Sequence, residues 1–422
     1  MTPRALGLDI GTSGVRAAIV RGGGDVLGLA STRFAEFGLD PAAPATWRCA
    51  MQTTLARLRA ECDFSGIVAL AVDGTSGTML AVDGDGEPVG PASLYDEPCA
   101  DDSIVARIAA AAPPDSAALG RTSALARVLT MQNRPRARFV VHQADWIAGL
   151  LSGRFDCSDE NNALKTGYDP ILRRWPDWIA QTGADTAKLP EVFEPGTPVA
   201  RANATASVLG LPENALVCAG TTDGCASFLA TGAAEVGDAV TSLGSTLVIK
   251  LLSDKPINAT VDGVYSHRLG ARWLVGGASN TGGKVIDALF PEGDLAALSQ
   301  ALKPDVPTGL RYYPLLRPGE RFPINDPQWP PRLAPRPADR ALFFQAVLEG
   351  IGEIESLAYR RLRELGAPAL NSVRSVGGGA SNAAWTRIRQ RLVDAPFAPT
   401  LSQEACVGTA RLALSKMRDF RI

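Results

Sequence analysis

The sequence predicts an α/β protein of two domains, each a mixed sheet flanked by helices, and three observations lead there. Residues 6–20, LGLDIGTSGVRAAIV, read as strand, tight polar turn and strand. Residues 67–72 form a near-continuous apolar run closed by Asp73-Gly74, the mark of a strand buried on both faces. The strand-turn-strand unit then returns at residues 239–252, one copy in each half of the chain. A chain of 422 residues exceeds what one core holds, so domains at 1–230 and 231–422 are expected.

The opening stretch also suggests a ligand. Gly11-Thr12-Ser13-Gly14 lets backbone N–H groups approach phosphate oxygens with few side chains in the way. Asp9 precedes it directly. A carboxylate repels a bare anion, so its place beside such a turn makes sense if a divalent cation lies between carboxylate and phosphate. No Lys follows the glycines and the next element is a strand, which excludes a Walker loop; the GxGxxG order of a dinucleotide site is also absent.

Composition narrows the partners. With 42 basic and 44 acidic residues there is no basic field for nucleic acid or anionic lipid. No run of 18 apolar residues occurs and the N-terminus enters its strand without an apolar leader, so a cytoplasmic protein with a small-molecule partner and no membrane contact is expected. The seven cysteines are scattered and never in a CxxC pair, as reduced thiols would be. Two histidines, His142 and His267, are too few for a His-rich metal site and make a Ser/His/Asp triad hard to assemble.

Along the chain, residues 26–30 add a third strand to the opening hairpin. Trp47, Met51, Leu55 and Leu58 then recur at helical spacing. Thr75-Ser76-Gly77-Thr78-Met79 follows the buried strand, at the end where such sheets present binding groups. Residues 101–153 read as helical, broken at Pro113-Pro114, with Phe139, Val140, Ile147 and Leu151 buried. The polar cluster 158–163 reads by composition as a solvated loop, and residues 189–199 as an extended cover. A buried strand at 216–219 runs through Gly220-Thr221-Thr222 to Asp223 at the start of a small-residue helix, whose dipole favours an ionised carboxylate there. In the second half Gly244-Ser245-Thr246 repeats the first turn, and residues 273–277 form a buried strand that leads through Ser279-Asn280-Thr281-Gly282-Gly283 into a helix. A long helix spans 338–365. Gly377-Gly378-Gly379-Ala380-Ser381-Asn382 opens the next helix and allows a flat group such as adenine to lie against backbone.

Taken in order, LGLDIGTSG, GTTDG, SLGST, GERFP and GGGASNAAW resemble the motifs of the FGGY family of carbohydrate kinases, and the likeness covers nearly the whole chain. ENNALKTGYDP, LPEVFEPGT and EACVGTARLAL are similar to further stretches of that family, which moves the polar cluster from loop toward site. The resemblance implies two actin-like ATPase (ribonuclease H-like) domains, each with a mixed five-stranded sheet and a cleft between them. It also implies ATP and Mg2+ as cofactors. Asp9, Gly11, Thr12 and Ser13 would handle the Mg-nucleotide phosphates from the first domain; Gly244, Ser245, Thr246 and Gly282 would do so from the second, with Gly378, Gly379 and Asn382 at the adenosine. Asp223 matches the catalytic base and, with Asp9, a metal carboxylate. Thr75, Ser76, Thr78, Met79 and Asp96 are the implied sugar contacts. The stretch DGTSGTMLAVD is similar to ribulokinases, where xylulokinases carry a QMH-like triplet, so D-ribulose is the expected substrate, with xylulose or a polyol the alternative. LYDEPCADD has Cys99 where the family often has Arg, which removes a donor fork from the sugar side. A non-catalytic sensor on the same fold is the rival of another class; retention of Asp9 and Asp223 argues against it. Whether the protein is a monomer or homodimer is left open.

Overall fold

A computed structural model describes residues 2–38, 40–291 and 293–417. They form two compact units. Of the described residues, the first comprises 2–38, 40–230, 267–270 and 404–417, and the second 231–266, 271–291 and 293–403.

The first unit opens with the meander β1 (Arg4–Ile10), β2 (Gly14–Arg21) and β3 (Val26–Arg33), followed by α1 (Pro44–Glu61) and β4 (Ile67–Gly74). Pro44 starts α1 at a position where its missing N–H costs nothing. The helix buries Trp47, Met51, Leu55 and Leu58 in one core with Leu6, Leu8 and Ile10 of β1. Then come β5 (Met79–Val82), α2 (Asp102–Ala111), α3 (Ala124–Met131), β6 (Phe139–His142), α4 (Gln143–Ser152), β7 (Cys157–Asp159), α5 (Glu160–Leu164) and α6 (Trp178–Gln181). The rest is β8 (Glu191–Phe193), β9 (Pro198–Arg201), α7 (Ala204–Val208), β10 (Leu216–Cys218), β11 (Thr221–Thr222) and α8 (Asp223–Ala230). The main sheet has seven strands in the order β3-β2-β1-β4-β10-β9, with β11 also on β4. β1 and β4 run parallel with Asp9 opposite Asp73, and β11 extends the parallel set with Thr221 opposite Asp73.

The second unit holds β12 (Asp238–Leu243), β13 (Leu247–Ser253), the first two residues of β14 (Tyr265–Leu269), β15 (Arg272–Ala278), α9 (Gly283–Leu289), α10 (Leu295–Gln300), α11 (Arg340–Glu364), β16 (Ser372–Val376) and α12 (Ala383–Leu392). Its five-stranded sheet runs β14-β15-β13-β12-β16. β12 and β13 form an antiparallel hairpin, and β16 lies parallel to β12, as β4 lies parallel to β1. The repeat read in the sequence is therefore a repeat of topology. α11 is capped by Asp339, whose carboxylate accepts from the N–H groups of Ala341 and Leu342.

Four sequence expectations need correction. The first sheet has seven strands, because β9 adds antiparallel to β10 and the chain resumes pairing with β4 after Gly220. Residues 139–142 are a strand, not helix: β6 pairs antiparallel with β5, and backbone pairing overrides the helical reading of Phe139 and Val140. The polar cluster is buried, with Asp159 and Asn161 fully inaccessible. Last, α13 (Ala405–Ser415) was expected in the second domain but packs in the first unit. Cys406, Val407 and Ala410 share a core with Ala18 and Val20 of β2. The approach is close enough that a Cβ on Gly7 would lie 2.0 Å from the Cys406 carbonyl oxygen, and one on Gly408 1.9 Å from that of Ala226. Only glycine fits at either place.

Candidate active site

In the first unit three parallel strands end side by side, and their ends carry acids. Asp9 and Asp73 are adjacent in register, and Asp223 follows β11 at once. Asp73 is fully buried and Asp9 nearly so. Burial pushes the Asp73 carboxyl well above the usual carboxylate range, and the charge of Asp9 beside it adds to the effect. Burial also raises Asp9, against the opposing Arg16 guanidinium, which stands 3.2 Å from its Oδ2. Arg16 in turn meets Glu404 at 3.5 Å. Thr409 of α13 donates to Asp73 Oδ2, whereas Asp73 Oδ1 is buried without a hydrogen-bond partner. Two crowded carboxylates with an unmatched oxygen are a site that a divalent cation would relieve. Among the described residues no three His, Cys, Asp or Glu side chains are grouped to hold a metal. The chemistry fits Mg2+, which keeps waters and phosphate oxygens as ligands and needs only one or two carboxylates.

The turn beside Asp9 is closed by its own backbone: Gly11 N–H donates to the Gly14 carbonyl over 3.0 Å. Among the described residues no acceptor takes the N–H of Thr12 or Ser13. The donors open to a phosphate are thus those two, and Gly11 acts by shaping the turn. Asp223 starts α8, and its Oδ1 accepts the Gly224 N–H over 2.7 Å. Beneath it lies the polar cluster. Asn161 Nδ2 donates to Thr221 Oγ1 over 2.9 Å, and Asn162 Nδ2 to the Thr221 carbonyl over 3.2 Å. Asp159 accepts from both backbone N–H groups of Asn161 and Asn162, at 2.8 and 3.0 Å. This buried shelf fixes the short strand that delivers Asp223.

The expected sugar contacts divide. Ser76 Oγ is buried with no hydrogen-bond partner. Asp96 is exposed, and its charge together with that of Asp223 raises the Tyr95 phenol above its usual range, after burial itself. Tyr95, Asp96 and Asp223 therefore share one neighbourhood. Thr75 and Thr78 are engaged by the protein: the Thr75 hydroxyl reaches the Ile10 carbonyl at 3.4 Å, and Thr78 Oγ1 accepts the Tyr95 N–H at 3.2 Å. Met79 is a core residue, packed with Ile104, Val128 and Val140, so its place among the sugar contacts is withdrawn. Asp73 was missed by sequence reasoning. Its signal was there, an acid closing a buried strand as Asp9 does, but only the parallel register makes the pair visible.

In the second unit Gly244, Ser245, Gly378, Gly379, Ser381 and Asn382 line a cavity of about 860 Å3 together with Ser299, Gln300 and Trp385, roomy enough for a nucleoside. The backbone is closely folded around it. Gly283 N–H donates to the Gly244 carbonyl (2.8 Å) and Lys284 N–H to that of Ser245 (3.1 Å), so α9 starts against the turn. Gly282 has φ of +137° and backs on Thr246; Gly377 has φ of +86° and backs on Leu243. Thr246 and Gly282 support the turn from behind and are not among the cavity-lining residues. Nothing lies within 4 Å of where a Gly378 Cβ would be, so that backbone faces open space. Asn382 is committed at both ends, accepting from Trp385 N–H (3.0 Å) and donating to Ser299 Oγ (2.9 Å). It shapes the cavity. The position equivalent to Asp9 is Ser242, opposite Val376, so the repeat carries its acids in the first copy alone.

Residues 239–417 match the FGGY family of carbohydrate kinases, C-terminal domain. Over that stretch the chain is similar to the C-terminal domain of these carbohydrate kinases. A xylulose kinase of Klebsiella pneumoniae is 24% identical over 379 residues, 82% of this chain and 76% of the relative. A gluconokinase of Bacillus licheniformis is 22% identical over 230 residues, half of this chain and 44% of that relative. Among solved structures, one described as a xyloylose kinase from Brucella ovis superposes with a TM-score of 0.86 at 24% identity, over 99% of this chain and 91% of that one. A ligand-bound xylulose kinase from Lactobacillus acidophilus gives 0.84 at 18%, over 100% and 90%. These likenesses show the fold, that of the actin-like ATPases.

Proposed function

We propose that this protein transfers the γ-phosphoryl group of ATP to the primary hydroxyl of a ketopentose, with D-ribulose as acceptor. The observation that carries the reading is the set of acids at three adjacent strand ends, Asp9, Asp73 and Asp223. Phosphoryl transfer asks the protein mainly for positioning and charge neutralisation. Asp223 orients the sugar hydroxyl and takes its proton as the oxygen bonds to phosphorus and the bond to the β-phosphate oxygen breaks. Asp9 and Asp73 would hold Mg2+, which when bound neutralises the charge that develops on the phosphates. The N–H groups of Thr12 and Ser13 bind phosphate oxygens, and the second unit's cavity, lined by Gly244 and Ser245, takes the adenosine. Ser76, Tyr95 and Asp96 face the sugar.

D-Xylulose is the second reading, favoured by two findings. Thr78 and Met79, the residues behind the ribulose assignment, are held by Tyr95 N–H and by the core, and the Klebsiella and Brucella proteins are described as kinases of the xylulose type. An ADP-release assay over D-ribulose, D-xylulose, gluconate, pentitols and glycerol decides. Mg-dependent turnover with D-ribulose well above the rest supports the proposal; a preference for D-xylulose replaces its acceptor, and no turnover with any of them overturns it.

A further inference from the structure

Tyr95 and Asp96 stand at the tip of a tight turn closed by the Glu97 N–H on the Leu94 carbonyl, 3.2 Å. This segment has no arginine of its own: Cys99 occupies the place where similar sequences often have one, and its Sγ is directed to the Asp101 carbonyl at 3.5 Å. A guanidinium reaches it from elsewhere. Arg127 of α3, only 5% exposed, directs Nη2 to the carbonyls of both Leu94 and Glu97 (the latter at 2.9 Å), the two residues that bracket the tip. Its Nε donates to Ser93 Oγ over 3.1 Å and its Nη1 to the Thr122 carbonyl over 2.6 Å. Ser93 passes the chain on, donating to Glu97 Oε2 over 2.8 Å. None of the acceptors of Arg127 is a carboxylate. A buried cation whose donors all go to backbone carbonyls and one hydroxyl is placed to fix a chain trace, not to balance a charge.

The opposite side of the segment is held by β5. Ser93 and Met79 exchange backbone hydrogen bonds of 2.8 and 3.0 Å, and Tyr95 N–H donates to Thr78 Oγ1 over 3.2 Å. The tip is thus clamped between β5 and one side chain of α3. We infer that Arg127 is the positioning residue for the acceptor segment 93–97, setting Tyr95 and Asp96 toward the sugar; this rests on the kinase reading for its effect on catalysis, but not for its effect on the segment. A lysine would keep the charge and lose the fork, since one ammonium nitrogen cannot reach acceptors spread over Ser93, Leu94, Glu97 and Thr122.

Arg127→Lys is the test, read in two ways on the full-length protein. Without any ligand, amide hydrogen exchange of the peptide spanning 93–98 should quicken about tenfold or more while exchange of β1 and β4 stays as in wild type. In steady state, KM for the ketopentose should rise about tenfold with KM for ATP within about twofold. A merely structural role predicts instead a general rise in exchange and an equal loss for both substrates, and either result overturns the inference. Unchanged exchange at 93–98 overturns it as well. If the wild type phosphorylates no sugar, the function proposal fails and exchange alone decides the role of Arg127. Should Arg127→Lys not fold, Ser93→Ala removes the acceptor of Nε and is read by the same measurements.

Discussion

Replacing Asp73 with asparagine probes the paired carboxylates in the free protein. Burial, with the charge of Asp9 added, raises the pKa of Asp73 in the folded protein well above its ordinary, unfolded value. Its contribution to stability is therefore fully present below about pH 4 and is lost as pH rises through the folded value. Between the two values the folded protein holds one proton that the unfolded chain does not. Stability then falls by about 1.4 kcal/mol for each pH unit. Asparagine is close in shape to the protonated acid and keeps an oxygen for the Thr409 hydroxyl, so the variant loses this slope without leaving a cavity. Urea unfolding at pH 5 and pH 7, without Mg2+ or nucleotide, should show the wild type losing stability relative to Asp73→Asn across that interval. Because Asp9 and Asp73 perturb each other, the difference between the two proteins reports the pair and not Asp73 alone. Added Mg2+ should flatten the wild-type slope more than that of the variant, because a cation held by both carboxylates would compete with the proton on Asp73. Parallel pH profiles for the two proteins would refute the reasoning, and so would a Mg2+ effect of equal size in both.

Asp223→Ala should reduce sugar phosphorylation by a factor on the order of 100 or more, with ATP affinity by calorimetry unchanged; activity within a few-fold of wild type would remove Asp223 from the reaction. Gly379→Ala places a Cβ 2.4 Å from the Trp385 ring and 2.9 Å from Leu243 Cβ, so it should lower stability by about 1–3 kcal/mol and weaken ATP binding. Gly378→Ala meets nothing within 4 Å and should melt as wild type does, any loss appearing in the KM for ATP. Under the second sheet, Arg389 and Glu355 pair at 2.6 Å with neither side chain exposed, and Glu355 also accepts from Thr241 of β12 at 2.5 Å. Arg389→Met alone should cost about 3–5 kcal/mol in chemical unfolding, and Arg389→Met with Glu355→Leu considerably less.

What the sequence made legible followed from local signals. The Gly11–Gly14 turn, α1, the Asp223 helix start and the Gly377–Asn382 opening each announce themselves by a break in apolar periodicity, and each lies where it was read. Asp73 did not, since a carboxylate at a strand end is unremarkable until a partner strand sets another beside it. Met79 was misread because β5 is buried at all four residues, so no alternation shows which side chains face a ligand. Asn161 and Asn162 look like solvent-facing residues in one dimension; only their bonds to Thr221 explain why such polar groups can be buried. Arg127 is one arginine among many until the fold brings the segment 93–97 beside it.

The close seating of α13 against Gly7 sets an order of assembly. During synthesis β1, β4 and α8 emerge early, yet Thr409, which holds Asp73, and Glu404, which meets Arg16, emerge after the whole second unit has been made. Until then Gly7 and Ala226 lack the helix backbone that closes over them, and the two acids at the strand ends lack their outer partners. A nascent chain can therefore build its first sheet long before the acid pair is completed, which happens only when residues 404–415 have left the ribosome.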